Sequence, residues 1–133
     1  MNPQVFEASL EQIATHLGDP AAPVYDALFE RAPELEALFI LDTDGTVRGE
    51  MLSRVFDSLG DIVNEAGYAP EMVGAEYINH RGMGVPAGGF ELLLDVMIET
   101  FRTHLGEHWT AEFEETWQAL KAAMHAIETE ADS

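Results

Sequence analysis

Between residues 110 and 128 the chain sets Phe113, Trp117, Leu120, Met124 and Ile127 at successive spacings of 4, 3, 4 and 3. An α-helix lines these positions up on one face, whereas a strand, with its period of two, throws them onto both. A stripe that large must be buried against other elements, so the fold has to be built around it. The segment just before it, about 89–105 (GFELLLDVMIETFRTHL), is still more apolar and stops at Gly106. Two long helices over so short a connection are expected to form an antiparallel pair.

The remaining segments share the helical period. Residues 5–18 place Phe6, Leu10, Ile13 and Leu17 on one face, with a stop at Gly18 and Pro20. Residues 22–32 restart with Pro23 near the first turn, where a missing N–H costs nothing, and Pro33 breaks them off ahead of a short apolar turn at 34–39. From Val47 to Val63 the apolar set Met51, Leu52, Val55, Phe56, Leu59, Ile62 and Val63 marks a strongly amphipathic helix. A weaker helix is expected over about 71–79. No segment alternates with the period of a half-buried strand. The pattern therefore predicts an all-α fold of six to eight helices, and 133 residues at 47% hydrophobic suit a single domain over 1–133 with one sizeable core.

Charge narrows the partners. Twenty-five acidic residues face six basic ones, a net charge of −19. Nucleic acid and anionic membrane would repel such a surface, so neither is expected as a partner. The chain has no run of eighteen apolar residues, and MNPQVFEASLEQ lacks the basic start and apolar block of a signal peptide. The absence of cysteine excludes a disulfide, an Fe–S cluster, a thiolate zinc site and a covalently attached c-type haem. These features are those of a cytoplasmic protein. With cations so scarce, any arginine beside a pocket becomes a site candidate.

Three motifs invite metal readings. In LDTDGTVRGEM (41–51), Asp42, Asp44 and Gly45 fit a calcium loop, but Ile40 and Met51 stand where its first and last ligands belong, so the stretch reads as a turn. His104 and His108 have the four-residue spacing of paired ligands, yet Gly106 lies between them and no HExxH order occurs. They read as terminal histidines that suit a helix dipole. No GxSxG, Walker loop or dinucleotide fingerprint is present. His80, in YINHRGMGVP (77–86), either ends its helix or ligates a metal; the residues around it leave both open.

Four segments, taken in order, resemble the globins, in particular bacterial single-domain haemoglobins and the globin domain of flavohaemoglobins. VYDALFERAPELEALF (24–39) is similar to their second helix and the corner after it. VRGEMLSRVFDSLGDIV (47–63) resembles the distal helix, and INHRGMGVPAGGF (78–90) the stretch that follows the proximal histidine. LLLDVMIETFRTHLGEHWTAEFEETWQAL (92–120) resembles the last two helices. The likeness runs over about 5–128, and order and spacing carry it more than any single motif.

The resemblance implies a globin-like fold enclosing a non-covalent haem b, with His80 as the iron ligand. Tyr25 then takes the distal tyrosine position, against the alternative of an ordinary core-edge tyrosine. Phe39 takes the place of the phenylalanine stacked on the macrocycle, and Val85 lies in the turn after the ligand. Arg48 falls where many globins carry a distal histidine or glutamine, with Leu52 as the wall over the iron. A shift of one residue would put Val47 and Met51 there instead. Arg48 and Arg81 are the candidates for balancing the haem propionates.

Flavohaemoglobins carry a tyrosine where this chain has Phe90, and no glutamate matching their proximal one stands out in the last helix. That departure argues against peroxidase-like chemistry and strong NO dioxygenation. The implied function is reversible binding of O2, with NO or CO as other ligands. Two readings of another class stay open: a gas sensor or interaction module acting through a partner or homodimer, haem-bound or haem-free, and NO detoxification with an external reductase.

Overall fold

Asn2 starts the first helix. Its side chain accepts the N–H groups of Gln4 and Val5, and α1 runs over Pro3–Leu17 in the structure, a computed structural model that describes residues 1–133 in full. Asp19 then accepts the N–H of Ala21 and opens α2, Ala21–Arg31. Pro33 cannot continue that helix, and the apolar turn expected after it is a 3-10 segment, Pro33–Phe39. Helix α3 (Thr46–Val63), α4 (Ala69–Gly82) and α5 (Gly89–Leu105) follow, then a second 3-10 segment (Gly106–His108) and α6 (Ala111–Asp132). Six α-helices and two 3-10 segments, without a strand, make the all-α fold that the periodicity predicts, with the helix order that the resemblance implies. No helix is long and apolar enough to cross a membrane.

Thr110 caps α6 by accepting the N–H of Phe113, and the helix packs antiparallel on α5. Arg102 meets Glu114 near the turn, Asp95 meets Lys121 further on, and Glu91 meets His125 and sits above Glu128 at the far end. Numbers fall along α5 as they rise along α6, which is the register of an antiparallel pair. The stripe of Phe113, Trp117, Leu120 and Met124 is buried.

Around Trp117 the packing is dense. The indole is fully buried, tilted against Phe6 at 5.7 Å and edge-on to Phe101 at 5.4 Å and Phe56 at 6.3 Å. Its N–H donates to the Ser9 hydroxyl at 2.9 Å, which donates in turn to the Phe6 carbonyl at 2.6 Å. No polar atom of this cluster is left unpaired, as burial requires. At the other end of the bundle α2, the first 3-10 segment, α3, α4 and the start of α5 do not close on one another. They leave a cavity.

Candidate functional site

The cavity has a volume of about 480 Å³, and 14 of its 20 lining residues are hydrophobic. That is within the range of small-molecule and cofactor sites. Helix α4 supplies one wall. Asp61 accepts the N–H of Ala69 at 2.7 Å and Pro70 occupies the first turn, which fixes where α4 begins. Met72, Glu76 and His80, four residues apart, then fall on one face and line the cavity together with Val73.

His80 is held by its neighbours. Its Nδ1 lies 2.7 Å from the Glu76 carbonyl. A carbonyl can only accept, so Nδ1 carries the proton, and Nε2 of the neutral ring keeps a free lone pair. The Glu76 carboxylate stands 3.9 Å from the same Nδ1, and the ring meets Phe90 edge-on at 5.1 Å. Beyond His80 the N–H groups of Met83 and Val85 both bond to its carbonyl, and Gly84, at φ 104, lets the chain turn where a side chain would be strained. Gly89 is needed for space: a Cβ there would come 2.5 Å from Val85 Cγ1.

Phe90 is set by a buried carboxylate. Glu128, 3% exposed, accepts the N–H groups of Phe90 and Glu91 at 3.0 Å each and so anchors the first turn of α5 from α6. Burial pushes its carboxyl above the ordinary value, against the pull of those two amides. Tyr77 packs edge-on to Phe90 at 5.3 Å. Its hydroxyl donates to Asp132 at 2.7 Å and accepts from Gly88 N at 3.1 Å, while Arg81 donates to the same Asp132 at 2.8 Å. A phenol and a carboxylate of the last helix thus do meet near the histidine, but the phenol is Tyr77, and its hydroxyl is turned to the end of the last helix.

The opposite wall is aromatic. Tyr25, Phe29 and Phe39 pack as a triangle with centroids 5.4–5.9 Å apart, and Tyr25 and Phe39 line the cavity. The Tyr25 hydroxyl is buried with no hydrogen-bond partner, an uncommon condition for a phenol. Burial pushes its pKa up to about 12, outweighing the nearby Arg48 charge, so the phenol keeps its proton.

Helix α3 corrects two expectations. Arg48 and Leu52 do not line the cavity; Met51, Arg54, Val55 and Ser58 do. The cause lies at the start of the helix. Asp42 accepts the N–H groups of Val47 and Arg48, and the Arg48 guanidinium folds back onto it, Nε to Oδ2 at 2.9 Å and a terminal nitrogen to the Asp42 carbonyl at 2.9 Å. Burial raises the Asp42 carboxyl, but the amides and guanidinium of this cap outweigh it and hold it below the usual range. So pinned, α3 turns Leu52, Leu59 and Val63 into the core and Met51 into the cavity. The one-residue shift holds for Met51, while Val47 is half exposed.

Arg81 is also spent elsewhere, in its pair with Asp132, and is not among the cavity residues. The structure therefore brings together Tyr25, Phe39, His80, Val85 and Phe90, and leaves out Arg48, Leu52 and Arg81. Arg54, Glu76, Tyr77, Glu128 and Asp132 escaped the sequence reading. The spacing from Met51 to Arg54 and Ser58 was the one signal open to it. The other motif carboxylates and histidines have structural duties. Asp44 accepts the N–H of Thr46, His104 bonds the Thr100 carbonyl, and His108 stacks on His16 at 4.5 Å.

No curated protein and no solved structure matches this chain. The family model described as Globin matches residues 22–127, from the start of the helix that bears Tyr25 to the last turns of the one that bears Trp117. A match over most of the length, on a fold that opens a cavity between a tyrosine and a histidine, shows that the chain belongs to the globin family.

Proposed function

We propose that this chain is a single-domain globin over residues 1–133, of the type of the bacterial single-domain haemoglobins. It holds haem b non-covalently between His80 and Tyr25 and binds O2 reversibly, with NO and CO as further ligands. Globins typically bind haem and diatomic gases. One observation carries the extension to these residues: His80, its Nδ1 engaged by the Glu76 carbonyl, and Tyr25, whose buried hydroxyl has no partner, line the same apolar cavity.

Haem, when bound, would supply an iron able to take the His80 imidazole and a diatomic gas as ligands. The chain's residues do the rest. The Glu76 carbonyl fixes the His80 tautomer and ring plane. Phe90 and Val85 line the cavity with His80, and Phe39, beside Tyr25, would pack against a flat ligand. Tyr25, protonated throughout the physiological range, donates a hydrogen bond to a polar diatomic ligand and slows its escape. Met51 and Val55 keep the space apolar and exclude water. Phe90 gives His80 no hydroxyl, which favours holding a gas over activating it.

Reconstitution with haemin tests the assignment. His80→Ala should lose the Soret band of the ferrous CO complex near its normal position. Wild-type spectra in that variant would remove His80 as the ligand.

A further inference from the structure

Sequence spacing pairs His108 with His104, but the fold pairs it with His16. The two rings stack at 4.5 Å with 29° between their planes. One lies in the last turn of α1, the other at the end of the second 3-10 segment. Buried neighbours tie both backbones down: Ile13 on one side, and on the other Trp109, whose indole N–H donates to Glu114 at 2.9 Å. His104 is engaged by its own helix instead, with Nδ1 at 2.8 Å from the Thr100 carbonyl. The rings of His16 and His108 are exposed, and their polar contacts are local. His16 Nε2 lies 3.2 Å from Gln12 Oε1, one turn back, and His108 Nε2 lies 4.0 Å from the carboxylate of Glu107. Contacts of that kind are easily given up.

We infer that His16 and His108 form a two-imidazole site for a divalent transition metal ion of the class of Zn2+, Cu2+ and Ni2+. Imidazole is the nitrogen ligand such ions take, and two rings already side by side lose little freedom on binding. Being exposed, each can rotate to turn a nitrogen toward one shared ion. The surroundings favour a cation. At the end of α1, where His16 stands, unpaired carbonyls make the helix terminus negative. Glu107 adds a carboxylate beside His108, and the chain as a whole carries −19. Two protein ligands leave the remaining positions to Glu107 or water, unlike the closed four-ligand shell of structural zinc. Mg2+, a hard ion that takes oxygen, is not selected. An ion held here joins the end of α1 to the connection between α5 and α6.

Calorimetric titration of the full chain with Zn2+ tests this, in excess Mg2+ to occupy the surface carboxylates. The wild type is compared with His16→Gln, His108→Gln, the double variant and His104→Gln. Both residues of the pair are exposed, so the substitutions leave the core intact. Each single change at the pair should weaken Zn2+ binding about tenfold, and His104→Gln should bind as the wild type does. Saturating Zn2+ should also raise the Tm of the wild type and leave that of the double variant unmoved. Equal Zn2+ affinity in the wild type and the double variant overturns the site. So does a loss of binding in His104→Gln with His16→Gln unchanged, or a wild type that takes up no Zn2+ over the Mg2+ background. None of these outcomes touches the haem reading, which rests on His80 and the cavity.

Discussion

One end of the bundle is solid and the other is hollow. Around Trp117 the rings of Phe6, Phe56, Phe101 and Trp109 fill the space between α1, α3, α5 and α6, and the indole N–H has its acceptor. Around Tyr25 a comparable set of aromatic residues lines about 480 Å³ of open volume, and the phenol has none. Composition does not separate the two ends, because both are made of aromatic and aliphatic side chains. What separates them is closure. The solid end accounts for stability, and the hollow end gives up contacts so that a ligand can supply them.

The largest expected effect breaks the solid end. Trp117→Ala should destabilise the apoprotein by about 3–5 kcal/mol in urea unfolding, since it empties the centre of the aromatic cluster and removes the donor to the Ser9 hydroxyl. A loss under about 1 kcal/mol would mean that this end is less tightly packed than its geometry implies.

Enlargement sharpens the contrast. Leu120→Phe, at a fully buried position one turn past Trp117, should cost about 1–3 kcal/mol through overpacking. Val55→Leu, in the cavity wall, should stabilise the apoprotein by about 0.5–1 kcal/mol because the added methylene finds room. Opposite signs for the two changes are the signature of one closed and one open end. The same sign would erase the distinction.

A further effect is read in alkali. Unfolded, the Tyr25 phenol ionises near its ordinary value of 10.0; folded, burial holds it to about 12. Between those values the unfolded chain sheds a proton that the native chain keeps, so this stabilisation is complete below pH 10 and falls as pH rises toward 12. Tyr25→Phe should remove that part of the alkaline decline. Identical alkaline profiles for the two proteins would place the phenol in water.

The solid end was legible from the sequence because one helix carries it: the stripe from Phe113 to Met124 is periodic, and periodicity survives without coordinates. The helices fall within a few residues of their expected limits for the same reason. At the hollow end, Tyr25, Phe39 and His80 were readable through the family pattern and do line one cavity. The α3 register was not, because it depends on how Asp42 and Arg48 close the loop before the helix, a three-dimensional event with no period. Tyr77 and Asp132 were hidden for a similar reason: 55 positions separate a pair that meets at 2.7 Å.

The bond between Tyr77 and Asp132 also sets an order in time. The helix bearing His80 is fastened at its last turns by a residue near the end of α6. During synthesis, α4 has left the ribosome well before that fastening exists. A nascent chain stopped short of residue 132 would present the imidazole on a loosened helix, with Arg81 free beside it. On the haem reading proposed above, stable capture of the cofactor by His80 would wait until the final helix is complete.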